Sequence, residues 1–76
     1  MKIHWWTDSG GTYSCHKNEA GLTAKQSMLG FIVNVDGKWY FVLEPSAGRT
    51  GPFNNMHLAR KALEKIVGGE PMNDWE

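Results

Sequence analysis

The sequence predicts an α+β domain: an antiparallel β-meander of about four strands with one C-terminal α-helix packed across one face. Two stretches of alternating apolar and polar residues, each folded back at a glycine turn ("DSGG" and "DG"), read as hairpins. One later stretch repeats its apolar residues at helical spacing. A sheet with one apolar face and a helix with one apolar stripe bury each other. At 76 residues the chain holds one domain, which we place at 1–69, followed by a short acidic tail at 70–76. A chain of this size buries only about 60% of its unfolded surface, so each large apolar residue matters.

In the first hairpin, Thr7 opens the turn, Asp8 and Ser9 are central, and Gly10 takes the left-handed position. Thr7 then pairs with Gly11, Trp5 with Tyr13, and Ile3 with Cys15. One face carries Ile3, Trp5, Tyr13 and Cys15, which suit a core. The other carries Lys2, His4, Trp6, Thr12, Ser14 and His16, so of the two adjacent tryptophans Trp5 is inside and Trp6 outside.

The second hairpin, "MLGFIVNVDGKWYFVL", admits two registers. A two-residue turn at Asp36-Gly37 pairs Val35 with Lys38 and splits the apolar set between the faces. A three-residue loop pairs Asn34 with Lys38 and gathers Leu29, Phe31, Val33, Trp39, Phe41 and Leu43 on one face. Register follows the apolar pattern, which selects the three-residue loop. Residues 21–28 alternate weakly and extend the third strand backwards, with Gly30 allowing a bend or bulge. "EPSAGRTGP" reads as a connection whose charged contact group is Arg49.

The helix is signalled by Asn54 as N-cap, by Phe53 and Leu58 as a hydrophobic staple, and by Gly68-Gly69 as the stop. Leu58, Ala59, Ala62, Leu63 and Ile66 form its apolar stripe. Arg60, Lys61, Glu64 and Lys65 take the solvent side, where Arg60, Lys61 and Lys65 with His57 make a small basic patch.

Eight basic and eight acidic residues cancel, so no global charge drives the chain to nucleic acid or membrane. A lone cysteine, Cys15, forms no internal disulfide, and the chain contains neither a signal-like leader nor 18 consecutive apolar residues. We therefore expect a cytoplasmic protein without membrane association. Cys15 and His16 point to opposite faces of a strand, so they neither share a metal nor act as nucleophile and base. No carboxylates pair in a strand register, and the glycines around Arg49 lack the ending of a phosphate loop. No enzyme activity, cofactor or metal is expected.

Surface aromatics carry the functional reading instead. The outer sheet face is expected to show His4, Trp6, His16, Ile32, Tyr40 and Val42, unless residues 17–27 or the tail cover it. With Arg49, the helix cations Arg60, Lys61 and Lys65, and Trp75 in the tail, these are the candidate partner-binding residues. A free strand edge leaves homodimer pairing open.

The order of Trp6, Gly11, Tyr13, Gly21, Trp39, Phe41, Gly51, Phe53, Ala59, Arg60, Leu63 and Glu64 resembles that of small accessory proteins encoded by phages and prophages. Such proteins include inhibitors of host defence, anti-CRISPR proteins among them. The resemblance implies a binding protein that acts in the host cytoplasm. It would inhibit or modulate a bacterial protein or ribonucleoprotein complex by covering a surface of it. The segment from "GKWYFVL" to "GPFNNMHLARKAL" is also similar in outline to the three-stranded arm-site DNA-binding domain of tyrosine integrases. That family reads DNA with a strand rich in Arg and Lys, where this chain has Lys38, Tyr40, Val42 and Glu44. A nucleic-acid-binding module using the outer sheet face and the basic helix patch is the alternative.

Overall fold

The computed structural model describes residues 1–7, 12–44 and 48–71. In chain order the elements are β1 (Lys2–Thr7), β2 (Tyr13–Lys17), α1 (Ala24–Ser27), β3 (Met28–Val35), β4 (Lys38–Leu43), β5 (Arg49–Phe53), α2 (Met56–Val67) and β6 (Glu70–Pro71). They build one mixed six-stranded sheet in the order β5-β4-β3-β2-β1-β6. Neighbours from β1 to β5 run antiparallel, and β6 lies parallel to β1. The α+β class is as expected, but the sheet is wider than four strands. The stretch around Arg49 is an edge strand rather than a connection, and the first two residues of the expected tail close the opposite edge. There Lys2 pairs with Glu70 at 3.0 Å, which holds the Glu70 carboxyl below its usual range.

Residues 24–27 form a helical turn instead of extending β3. The Thr23 hydroxyl accepts from the Gln26 backbone N–H at 3.2 Å, and the Gln26 side chain accepts from the Thr23 N–H at 3.0 Å. This reciprocal cap satisfies two donors at the start of the turn and outweighs the weak strand alternation.

The first hairpin pairs Thr7 with Tyr13, Trp5 with Cys15 and Ile3 with Lys17. Relative to the sequence expectation the ladder slips by two residues, and an even slip preserves the faces. Ile3, Trp5 and Cys15 are accordingly buried, while Trp6 faces out. The turn expected at Asp8–Gly10 lies outside the described residues.

The second hairpin corrects the expected register. Val35 pairs with Lys38, Asn34 with Trp39 and Ile32 with Phe41 across a two-residue turn. Asp36 at φ 52° and Gly37 at φ 82° are both left-handed, the backbone of a type I′ turn. Its twist matches that of the flanking strands, and the Asn34 side chain accepts from the Gly37 N–H at 3.2 Å. Turn geometry therefore wins over a uniform apolar face. Ile32 and Phe41 go inside, fully or almost fully buried, and Phe31, Val33, Tyr40 and Val42 go to the outer side.

This register puts Gly30 on the core side, where α2 crosses. A Cβ there would lie 2.5 Å from the Val42 carbonyl oxygen and 2.9 Å from Leu63 Cδ1, so the missing side chain is what lets the helix settle. Next to it, the β2–β3 ladder jumps from Cys15↔Gly30 to His16↔Met28, a bulge at the place where the sequence allows one.

Helix α2 starts one residue later than expected. Asn55, not Asn54, caps it, its side chain accepting from the Leu58 N–H at 3.0 Å. Gly68 at φ 69° ends it, and the Gly69 N–H donates to the Glu64 carbonyl at 3.0 Å. The stripe facing the sheet is Met56, Ala59, Arg60, Ala62, Leu63 and Val67, with Ala59 and Leu63 fully buried. Leu58, expected to staple onto Phe53, is 47% exposed, and Ile66 is 58% exposed. Phe53 packs instead on Phe41, ring centroids 5.9 Å apart.

Arg60, expected in solvent, lies in the helix–sheet interface. Its Nε stands 3.3 Å from Glu64 Oε2, and the Trp5 indole N–H donates to that same oxygen at 2.8 Å. Burial, reinforced by the nearby Glu64 carboxylate, pushes the Cys15 thiol up to about 12. It is a neutral core side chain at physiological pH.

Gly30→Ala tests the crossing of α2 over the sheet. We expect urea denaturation to show a loss of about 1–3 kcal/mol, the range for overpacking a core. A neutral result would mean that the helix does not close on Gly30.

Candidate binding face on the sheet

The side of the sheet away from α2 carries a row of side chains across five strands: Trp6, Ser14, Phe31, Val42 and Arg49. Val33 and Tyr40, paired with each other, lie beside it. Trp6 is 42% exposed at the β1 end, and Arg49 is exposed at the β5 end. The Arg49 guanidinium sits 4.7 Å from the Tyr40 ring centroid, a cation–π contact. Phe31, Val33, Tyr40 and Val42 are half-buried.

Trp6 is held by what lies under it. Its ring stacks on His16 at 3.9 Å and 21°. His4 closes the group, 5.2 Å from Trp6 and 6.1 Å from His16. His16 was expected as an exposed contact residue but is only 1% exposed, because Trp6 covers one face and α1 approaches its edge. Both ring nitrogens are engaged: Nδ1 lies 3.0 Å from Ser27 Oγ and Nε2 lies 3.0 Å from Ser14 Oγ. The Ser27 hydroxyl donates to the Ala24 carbonyl at 3.1 Å, which leaves its lone pairs to accept from Nδ1–H. In the neutral imidazole that burial favours, Nε2 is then the acceptor, and the Ser14 hydroxyl donates to it.

Burial lowers the His16 pKa, the neighbouring His4 lowers it further, and the Ala24 carbonyl opposes both. The Ser14–His16 pair has the separation of a nucleophile and its base, but both residues are buried. What the cluster does physically is prop a tryptophan. It also shows that the 17–27 segment covers one corner of the outer face, through the buried Ser27, and leaves the row from Phe31 to Arg49 uncovered by it.

The remaining sequence candidates fall elsewhere. His4 is half-buried against Trp6. Arg60 is buried with Glu64 on the helix side of the sheet, and Ile32, expected outside, is in the core. Lys61 and Lys65 are exposed on α2, which packs on the other side of the sheet, so the basic helix patch and the aromatic face are not one surface. Trp75 lies outside the described residues. Phe31 and Val33 were missed because the wrong register put them inside; the "DG" pair, the strongest short hairpin signal, held the information. The Ser14–His16 contact was legible as neighbours two apart on one strand face, whereas Ser27 arrives only through α1.

No family model matches the chain, and no curated protein or solved structure is similar enough to count as a match.

The His16 environment gives a pH dependence of defined sign. Its folded pKa lies below the unfolded value of 6.5, so below that pH the unfolded chain binds more protons than the folded one. Stability from this group is complete above pH 6.5 and is lost as pH falls toward the folded pKa. Denaturation midpoints measured from pH 7.5 to 5 should fall more steeply for the wild type than for His16→Gln. The difference in slope is bounded by about 1.4 kcal/mol per pH unit. Parallel curves would contradict a buried neutral His16.

Proposed function

We propose that this chain is a non-enzymatic binding protein that covers a surface of a larger protein partner with the outer side of its sheet. The observation that carries the reading is the row Trp6–Phe31–Val42–Arg49 with Tyr40. It sets aromatic and arginine side chains, the residue types enriched where protein interfaces hold their energy, around Val42 on the sheet side away from α2. Trp6 is already stacked on His16, and Arg49 on Tyr40.

The neutral charge balance supports a protein rather than a phosphate backbone as the main target. So does the separation of the face from Lys61 and Lys65. The resemblance to phage-encoded accessory proteins supports a bacterial complex as the partner, with inhibition or modulation in the host cytoplasm by steric cover.

The test is affinity capture from a bacterial lysate with wild type and Trp6→Ala in parallel, followed by titration of the captured partner. Truncating an aromatic anchor of the interface is expected to weaken binding by about 2 kcal/mol or more, roughly thirtyfold. Equal retention of the same partners by both proteins would remove Trp6 from the interface. A titration with duplex DNA at low salt separates the alternative. Binding whose logarithm falls steeply with the logarithm of salt, with a slope equivalent to several phosphates, would turn the reading to nucleic acid.

A further inference from the structure

Helix α2 carries apolar residues beyond those the sheet covers. Met56, Ala59, Ala62, Leu63 and Val67 pack inward. Leu58 and Ile66, 47% and 58% exposed, stand one turn to either side of the half-buried Ala62 and with its outer edge form a line along the flank. At about 100° per residue, Lys61 and Lys65 run as a parallel ridge beside this line, with His57 at its head.

The charge of that ridge is uncompensated from within the helix. The single acid of α2, Glu64, is turned inward onto Trp5 and Arg60, and its side chain is only 12% exposed. An apolar line bordered by cations, with the helix's own carboxylate withdrawn, is complementary to an apolar line bordered by carboxylates.

We infer that this outer flank of α2 is a second docking surface, and that its occupant is an acidic amphipathic helix of a protein partner. The occupant's apolar residues would seat on Leu58, Ala62 and Ile66 while its Asp or Glu residues meet Lys61 and Lys65. Helix-in-groove recognition works through such i, i+4 anchors, with flanking charge setting the choice of partner. A second copy of this chain packed antiparallel fits poorly. In an antiparallel pair of identical helices the same flank of each meets the other, so the two lysine ridges would face one another. The surface lies on the opposite side of the sheet from Trp6 and Arg49, so the chain can hold two partners, or two parts of one, at once.

The experiment uses three fluorescein-labelled amphipathic helical peptides of equal length, with Leu at i, i+4 and i+7 and Glu, Gln or Lys at the flanking positions. Fluorescence anisotropy follows their binding to the full chain. The Glu-flanked peptide should bind wild type most tightly, and binding should weaken as salt rises. The Leu58→Ser/Ile66→Ser variant should lose at least tenfold. Lys61→Glu/Lys65→Glu should reverse the order, so that the Lys-flanked peptide binds best. Thermal unfolding of both variants checks that they fold; the replaced side chains are exposed, so no large shift is expected. Trp6→Ala should bind the peptides as wild type does, which separates failure here from failure of the sheet-face reading.

Equal affinity for Glu- and Lys-flanked peptides would overturn the inference, as would no binding of the Glu-flanked peptide. A wild-type dimer in sedimentation that dissociates in Leu58→Ser/Ile66→Ser would assign the stripe to self-association instead.

Discussion

The turn at Asp36-Gly37 holds both residues in left-handed backbone, so β3 and β4 leave it with Val35 opposite Lys38. Side chains alternate along a strand, and this one pairing therefore decides which half of each strand meets the helix. Ile32 and Phe41 go in, and Phe31, Val33, Tyr40 and Val42 go out. Gly30 comes to lie under α2, where only a residue without a side chain lets Leu63 approach. The core, the seat of the helix and the composition of the open face all depend on a two-residue turn. A slip of one position would put Phe31 and Val33 against the helix and Ile32 in solvent.

Each side of the sheet carries its own buried polar device. On the helix side, Glu64 receives the Trp5 indole N–H and the Arg60 guanidinium, joining β1 to α2 through groups that would be costly to bury singly. On the open side, His16 stands between Ser14 and Ser27 and carries Trp6 on its face. The first fixes the helix to the sheet. The second fixes an aromatic at the surface. Stability and presentation of the face thus draw on adjacent residues of β1, Trp5 and Trp6, through opposite sides of one strand.

How far these features could be read from the residues varied with the kind of signal. The slip of two in the first hairpin left Trp5 inside and Trp6 outside, because parity survives an even shift. In the second hairpin, a rule favouring a uniform apolar face competed with turn chemistry, and the turn prevailed. The helix was legible as an element, and Ala59, Ala62 and Leu63 of its expected stripe do pack on the core. Leu58 and Ile66 are exposed instead, and Met56 and Val67 turn inward, a rotation that only the sheet's position sets. Arg60 was misplaced for a related reason, since its burial depends on Glu64 one turn on and on Trp5 across the interface. The edge strand β5 and the turn α1 carry short, mixed sequences whose structure comes from pairing and capping, not from periodicity.

The pairing of β3 with β4 is tested most directly by cross-strand Hα–Hα contacts in the nuclear Overhauser spectrum of the folded chain. Such contacts are strong between the close, non-hydrogen-bonded pairs of an antiparallel ladder. After a two-residue turn these pairs are Asn34 with Trp39 and Ile32 with Phe41, and both contacts are expected. Contacts between Val33 and Trp39 and between Phe31 and Phe41 would place the strands one residue out of step. That result would contradict the division between core and open face on which the account rests.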